Sequence, residues 1–400
     1  MSQQLILVLN CGSSSLKGAL LDNRSGDVLL SCLGEKLTTD DAYITFKQNG
    51  EKQQVSLAGR TDHTGAVAAL LEKLQELGLQ NQVRAIGHRV VHGGEKYSAS
   101  VLIDETVIAE LEACIPLAPL HNPANLTGIR AAQNIFPGLP NVAVFDTAFH
   151  QTLPAHAYTY AVPNKLYREH GLRRYGFHGT SYRFVAPEAA RIIGKNIDDS
   201  RLVIAHLGNG ASIAAVKNGR SMDTSMGLTP LEGLVMGTRA GDIDASVFVF
   251  LAANAGMNAE AVNDMLNKQS GLLGISELSN DCREIEEAAA KGHEGAKLAM
   301  EVMTYRLAKY IAAMAVAAGG IDALVFTGGI GENSDTVRSK TVGYLAFLGL
   351  NIDEAANTAV RFGKAGIISP DGQTPAVVVV PTNEELMIAN DTADLAGLSA

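Results

Sequence analysis

The stretch from Arg201 to Thr229, RLVIAHLGNGASIAAVKNGRSMDTSMGLT, constrains this chain more than any other. An apolar run (Leu202 to Ala205) turns through Leu207-Gly-Asn-Gly210 and resumes as Ala211 to Val216. Asn218-Gly219 then signals a two-residue hairpin turn, since both central positions need positive φ. The pattern predicts a three-strand meander whose first turn is rich in glycine. With no Cβ in the way, backbone N–H groups of such a turn can approach an anion closely. Taken alone, a plain hairpin whose glycines serve only geometry explains the stretch equally well.

The pattern occurs twice. Leu5 to Leu9 leads into Asn10-Cys-Gly-Ser-Ser-Ser15, then Leu16 to Leu21, a turn at Asn23-Arg-Ser-Gly26, and a strand from Val28 to Ser31. Repetition at this distance points to two homologous halves, each presenting a phosphate loop to a shared cleft. A third glycine run, Phe326-Thr-Gly-Gly-Ile-Gly-Glu-Asn333, follows an apolar strand (Ala323 to Phe326) and precedes a helix, where the other end of a nucleotide fits.

Bulk properties narrow the class. A chain of 400 residues, 46% hydrophobic, fills two cores or three. With 18% charged residues and a net charge of −10, it lacks the electrostatic footprint of a nucleic-acid binder. Cys11, Cys32, Cys114 and Cys282 are widely spaced with no CxxC pair, which argues against a zinc site or disulfide framework and fits a reducing cytosol. The N-terminal apolar run is one strand long with no basic region before it, and the most apolar helix, Tyr310 to Ile321, is too short to span a bilayer. The expectation is a cytoplasmic protein without membrane contact.

Along the chain, Ala42 to Phe46 and Gln54 to Leu57 read as strands around Asn49-Gly50, and Thr64 to Leu77 as a helix. Val83 to Ile86 reads as a buried strand delivering Gly87-His-Arg-Val-Val-His-Gly-Gly94. Arg89 there suits an anion, because a guanidinium matches a carboxylate or phosphoryl face as a fork; a surface salt bridge is the alternative. Ala118 to Pro123 reads as loop, Leu126 to Ile135 as helix, and Val142 to Phe145 as a strand ending in Asp146. An Asp at the carboxyl end of a buried strand is an active-site position in α/β folds, or else caps the following turn. Arg173 to Thr180 precedes a helix near Ser181. Asp223 to Asp244 is a long Gly-, Thr- and Met-rich segment holding Pro230 and Arg239, and a loop of that length with apolar residues suggests function. Ala259 to Asn267, Cys282 to Tyr310, Val337 to Phe347 and Glu384 to Leu395 read as helices, and Val377 to Val380 as the last strand.

The segments LNCGSSSLK, GHRVVHGGEKY, PLAPLHNPAN, VAVFDTAFHQT, RRYGFHGTS, AHLGNGAS, DTSMGLTPLEGLVMGTRAGDID, FTGGIGEN and PTNEE together resemble the acetate kinase family, in family order from end to end. The resemblance implies an α/β fold of two ribonuclease-H-like domains around a central cleft, as in the acetate and sugar kinase, Hsp70 and actin superfamily. The domains would be residues 1–148, completed by a returning C-terminal helix at 385–400, and residues 149–384 with the nucleotide site and a dimer interface. It implies reversible transfer from ATP to acetate, giving acetyl phosphate and ADP, with Mg²⁺ as cofactor, Mn²⁺ as a substitute, and a homodimer. Propionate or another short-chain fatty acid is the alternative acceptor, and a non-catalytic ATP clamp the remote one.

Residue by residue, the resemblance places Arg89 and Arg239 on the substrate carboxylate and moving phosphoryl group. His178 and His121 would donate to its oxygens, although a lone His is more often structural. Asp146 would serve as acid or base, or orient Arg239 or metal-bound water. Because a carboxylate titrates near ~4, the acceptor needs no base to activate it. The methyl pocket would be Val91, Leu120, Phe177 and Pro230, and a β-branched Val91 favours acetate. Asn10 and Glu384, with Glu385 adjacent, would hold Mg²⁺ directly or through water. Ser13, Ser15 and Lys17 would line the first phosphate loop, and His206, Leu207, Gly208, Asn209 and Gly210 the second. Asp281, Cys282, Arg283, Gly329, Ile330, Gly331, Glu332 and Asn333 would surround adenosine. Asp281 would hold ribose or cap the following helix, and Arg283 stack on the base. Many relatives carry an aromatic residue where this chain has Cys282.

Overall fold

The computed structural model of the chain describes residues 4–398. Two compact units emerge: residues up to Gln151 together with those from Asn383 onward, and Thr152–Thr382.

The first unit is built on an eight-stranded sheet. Its strands are β1 (Leu5–Gly12), β2 (Ser15–Asp22), β3 (Val28–Glu35), β4 (Tyr43–Gln48), β5 (Glu51–Ser56), β6 (Val83–Val90), β7 (Val101–Leu102) and β8 (Asn141–Phe145), in the order β5-β4-β3-β2-β1-β6-β8-β7. The meander β1 to β3 is antiparallel, whereas β6 runs parallel to β1 and β8 parallel to β6. Alternate side chains of a strand face opposite sides, so Leu5, Leu7, Leu9 and Cys11 meet helices α1 (His63–Glu76) and α2 (Asn122–Ile135). Ile6 and Val8 face the other way, onto Ile388, Ala389 and Ala393 of the C-terminal helix, Glu384–Leu395. Both faces are covered, which is why β1 reads as an unbroken apolar run.

The second unit repeats the scheme. Strands β9 (Arg201–Leu207), β10 (Ala211–Lys217) and β11 (Arg220–Thr224) form the antiparallel meander, and β12 (Ala323–Thr327), β13 (Gly366–Ile367) and β14 (Ala376–Val379) follow, in the order β11-β10-β9-β12-β14-β13. Strand β12 is parallel to β9 and β14 parallel to β12. The order β3-β2-β1-β6-β8 thus recurs as β11-β10-β9-β12-β14, the doubling expected from the two meanders, in the ribonuclease-H-like form that the family resemblance implies.

Several element limits differ from the sequence reading. Strand β1 continues to Gly12 and pairs Gly12 with Ser15, so the first turn is only Ser13-Ser14 and Asn10 sits on a strand opposite Lys17. Strand β6 continues through Arg89 to Val90. Helix α2 begins at Asn122, because Pro123 is tolerated in the first turn, where its missing N–H has no intrahelical partner. The helix expected over 282–310 is two, Cys282–Ala290 and Glu294–Ala318: Gly292 takes φ +96° and His293 Nδ1 caps the second by accepting from Ala296 N–H. The glycine run after β12 is itself helical, Gly328–Asn333.

Two buried imidazoles make this fold acid-sensitive. His88, on β6, donates from Nε2 to Asn141 Oδ1 (2.8 Å), and His92 Nδ1 accepts from Gly94 N–H (3.0 Å). Burial lowers both to about 4, Asn141 opposing the shift at His88. An unfolded histidine titrates near ~6.5, so between that value and about 4 the unfolded chain binds protons the folded chain refuses. Stability falls as pH drops through this window. Denaturant midpoints should decline from about pH 7 to about pH 5, and His88→Gln should flatten the decline; an identical slope in the variant would refute the assignment.

Candidate active site

In the first unit, the chemistry gathers where parallel strands end. Asp146 follows β8 by one residue, and its amide donates to Val90 O at 3.0 Å, which brings it level with the end of β6. Arg89 Nε and Nη2 donate to Asp146 Oδ1 (2.9 Å) and Oδ2 (2.6 Å) as a two-pronged fork. Asp146 is 1% exposed, and the Arg89 side chain 22%. Burial alone would weaken the Arg89 charge, but Asp146, then Glu384, raise its pKa above the ordinary value. Asp146 therefore acts here as the anchor of Arg89.

Arg89 lines a cavity of about 220 Å³ with Asn10, Lys17, Glu384 and Glu385. The last two open the C-terminal helix, where negative charge meets the positive end of the helix dipole. Burial first of all, with Asp146 and Glu385 nearby, pushes the Glu384 carboxyl up to about 7, while Arg89 and Lys17 pull it back. No group of three His, Cys, Asp or Glu is placed to hold a metal by itself among the described residues. A hard divalent ion that keeps most of its waters needs only one or two protein oxygens. Asn10 and Glu384 offer that set, and such an ion would offset the burial and the neighbouring carboxylates that raise Glu384.

Two asparagines that the sequence reading passed over shape this region. Asn125, on α2, accepts from Val91 N–H (3.0 Å) and donates to Cys11 O (2.8 Å), tying the ends of β1 and β6 together. Asn122 donates to His92 O (3.0 Å). An Asn pair spaced by three at a helix start is the only signal the sequence carried. Val91 is buried, Leu120 half exposed, and His121 sits at the N-terminal boundary of α2. Ser13 is in the turn and Ser15 opens β2, and neither lines the cavity.

In the second unit, His178 precedes the helix Gly179–Ile192 in a left-handed conformation, φ +59°. A non-glycine residue is held there at a cost of about 1–3 kcal/mol. Its ring stacks on His206 (centroids 4.2 Å apart), and its Nδ1 shares a hydrogen bond with Ser212 Oγ at 2.9 Å. Tyr182 reaches the same hydroxyl at 2.6 Å. His206 Nδ1 is held by Ser181 Oγ at 2.8 Å, which also contacts Thr382 Oγ1 at 2.8 Å. The Nε2 edge of His178 lies on the Gly210 side, 3.8 Å from where a Cβ would stand on that glycine, and Arg239 Nη1 is 3.4 Å from the same point. A Cβ there would make only ordinary contact with either group. Arg239 donates to Pro230 O at 3.2 Å. The long segment carrying both is ordered by Arg174, whose Nη1 donates to the carbonyls of Thr224, Ser225 and Met226 and whose Nη2 pairs with Glu232 at 2.5 Å. Phe177 is fully buried.

A larger cavity of about 780 Å³ in this unit is lined by Gly208, Asn209, Asp281, Cys282, Arg283, Gly329, Ile330 and Asn333, all singled out from sequence. Gly331 and Glu332 do not line it. Glu332 Oε1 instead accepts from Gly328 N–H (2.9 Å) and Thr382 N–H (3.1 Å). Arg338, buried, donates to Gly331 O and Glu332 O (2.9 Å each) and fixes the end of that short helix. Asp281 caps Cys282–Ala290 through Arg283 N–H (2.9 Å) and also receives the Arg283 guanidinium, at 2.6 Å to Nη2. Arg283 thus engages a carboxylate through one edge of its guanidinium while its side chain stays 85% exposed, and Cys282 is buried with Sγ 3.9 Å from Glu286. The cavity also takes in Arg361 and Phe362, which no local sequence pattern announced.

The Asp146 fork predicts a graded cost. Asp146→Ala strands a part-buried guanidinium and should cost about 3 kcal/mol or more, whereas Asp146→Asn keeps one acceptor and should cost less. A negligible loss for Asp146→Ala in denaturant titrations would show that the fork does not stabilise the fold.

The acetokinase family model matches residues 5–390. Acetate kinase 2 of Neisseria meningitidis is 69% identical over 398 residues, covering 100% of both chains, and acetate kinase of Chromobacterium violaceum is 64% identical over 394 residues, covering 98% of this chain and 99% of the relative. Among solved structures, acetate kinase of Porphyromonas gingivalis superimposes with a TM-score of 0.93 at 48% identity, covering 98% of this chain and 99% of that one. A propionate kinase of Francisella tularensis gives 0.93 at 46% identity, covering 99% and 100%. With the family match running almost end to end and relatives this similar over their full length, the chain belongs to the acetokinase family.

Proposed function

We propose that this chain is an ATP:acetate phosphotransferase, moving the γ-phosphoryl group of ATP to acetate and back, with Mg²⁺ as cofactor. The observation that carries the reading is the Arg89–Asp146 fork beside Lys17, Asn10 and Glu384, in a chain whose relatives at 64–70% identity are acetate kinases. An acetate oxygen forms the new P–O bond, the bond from the γ-phosphorus to the bridging oxygen breaks, and ADP leaves with that electron pair. Such transfers ask chiefly for alignment and neutralised charge. Acetate arrives ionised, so no residue has to take a proton from it. Arg89 holds an oxyanion in a direction set by Asp146, Arg239 supplies a second guanidinium, and His178 and His121 donate to phosphoryl oxygens. The stretch His206–Gly210 with Lys17, Ser13 and Ser15 serves the phosphates, and Asp281–Arg283 with Gly329, Ile330 and Asn333 the adenosine. Asn10 and Glu384 would hold Mg²⁺, which when bound supplies positive charge to the phosphates.

Acetate rather than propionate is favoured by Val91, a buried β-branched side chain whose backbone N–H is pinned by Asn125, since it fills volume that a longer acyl chain would need. Propionate is the second reading, because the Francisella tularensis structure of the same fold is a propionate kinase. One methylene is worth about 1 kcal/mol, so a closed pocket is needed to tell the two apart. We also propose a homodimer. Helix Val247–Ala255, VFVFLAANA, is strongly apolar yet has no buried residue, and Val249 and Phe250 are 72% and 63% exposed. Among the described residues no helix is long and apolar enough to cross a membrane, and we place the enzyme in the cytoplasm.

Mg-ATP-dependent acyl phosphate formation, trapped with hydroxylamine across acetate, propionate and butyrate, tests the proposal. Acetate should give the highest kcat/KM, and Val91→Ala should shift the ratio toward propionate by about tenfold. Propionate ahead of acetate would overturn the acceptor assignment, and no acyl phosphate with ATP still bound would replace the kinase with an ATP clamp. For assembly, light scattering should give twice the chain mass, and Phe250→Glu should halve it; a monomer in the parent protein would refute the dimer.

A further inference from the structure

The larger cavity of the second unit has one aromatic residue in its lining, Phe362, and it sits in an unusual way. Its φ is +55°, a left-handed conformation that bulky side chains rarely adopt. Its side chain is held out of the core, 77% exposed. Either feature alone is unremarkable on a protein surface. Together they describe a large apolar ring kept on a strained backbone at the mouth of a cavity, the kind of local strain that collects at ligand clamps.

The surroundings hold it there. Phe362 N–H donates to Asn333 Oδ1 (2.9 Å), and Asn333 Nδ2 donates to Gly329 O (2.9 Å), so the phenylalanine is tied to the glycine-rich helix after β12. The Arg361 guanidinium lies 5.0 Å from the Phe362 ring centroid and pairs with Asp335 at 2.9 Å. Most of the ring stays open even with Arg361 beside it. Phe362 is the one lining residue with an aromatic face: Cys282 is buried against Glu286, and the exposed Arg283 is forked on Asp281 through the edge of its guanidinium.

We propose that the base of the bound nucleotide stacks on the ring of Phe362, with Asn333 and Arg361 holding that ring in position. The proposal rests on the kinase reading for the identity of the ligand as a nucleotide. An aromatic face accepts any base, because every base presents a π-surface. Removing it should therefore weaken ATP and GTP alike.

The chain contains no tryptophan, so Phe362→Trp places a single indole at the site. ADP should quench its emission saturably, and pyrophosphate, which has no base, should not. Phe362→Leu keeps an apolar side chain without a π-face, and Phe362→Ala removes the bulk. Both should raise KM for ATP and for GTP by about tenfold, leaving KM for acetate in place. Circular dichroism confirms that each variant is folded, and Leu and Trp carry the test if Ala is not. The proposal is overturned if Phe362→Leu binds ATP within about twofold of the parent, or if ADP and pyrophosphate affect the indole equally. If the parent yields no acyl phosphate while ADP still quenches the indole, the kinase reading fails and the stacking stands.

Discussion

Asp146 is almost fully buried, and its buried charge needs a partner. The fork from Arg89 supplies it, and the rest of the first unit is arranged to let the two meet. Parallel pairing of β6 with β8 brings their carboxyl ends to one edge, Asn125 ties β1 to the chain just past β6, and the C-terminal helix delivers Glu384 to the same cavity. A guanidinium on a single contact would sweep through a cone of positions. Held at two nitrogens, it has one direction left.

The second unit uses the same strand order to hold different groups. Where the first presents a guanidinium and carboxylates, the second presents two stacked imidazoles, each fixed through Nδ1 by a serine hydroxyl. This division follows from what each turn can carry. Ser13-Ser14 closes β1 onto β2 tightly and carries small hydroxyls, while the longer Gly208-Asn209-Gly210 turn passes beside Arg239 and His178. One scaffold has been equipped twice.

The doubled meander was legible because its signals are local: short unbroken apolar runs, Asn218-Gly219, and glycine turns. The C-terminal helix was read to its observed limits, Glu384–Leu395. Where the reading erred, the deciding contact was distant or the breaker weak. Gly292 split a helix that continuous apolar spacing had suggested, and Pro123 proved compatible with the first turn of α2. The partner of Arg89 lies 57 residues away, so no local pattern names it. Asp281 showed its capping role in sequence, but its grip on Arg283 appears only in three dimensions. Phe362 escaped notice altogether, since an aromatic before a glycine reads as an ordinary turn.

The C-terminal helix packs Ile388, Ala389 and Ala393 against Ile6, Val8, Ala85, Val142 and Val144. Translation therefore finishes the two units in the reverse of the order in which it starts them. While the ribosome is still releasing the chain, the second unit is contiguous and can close as soon as Thr382 emerges, whereas the first waits with one face of its sheet bare. Strand β1 is made before the second unit and covered only after it, and the nascent chain is most exposed to aggregation through β1, β6 and β8 until the helix Glu384–Leu395 is out.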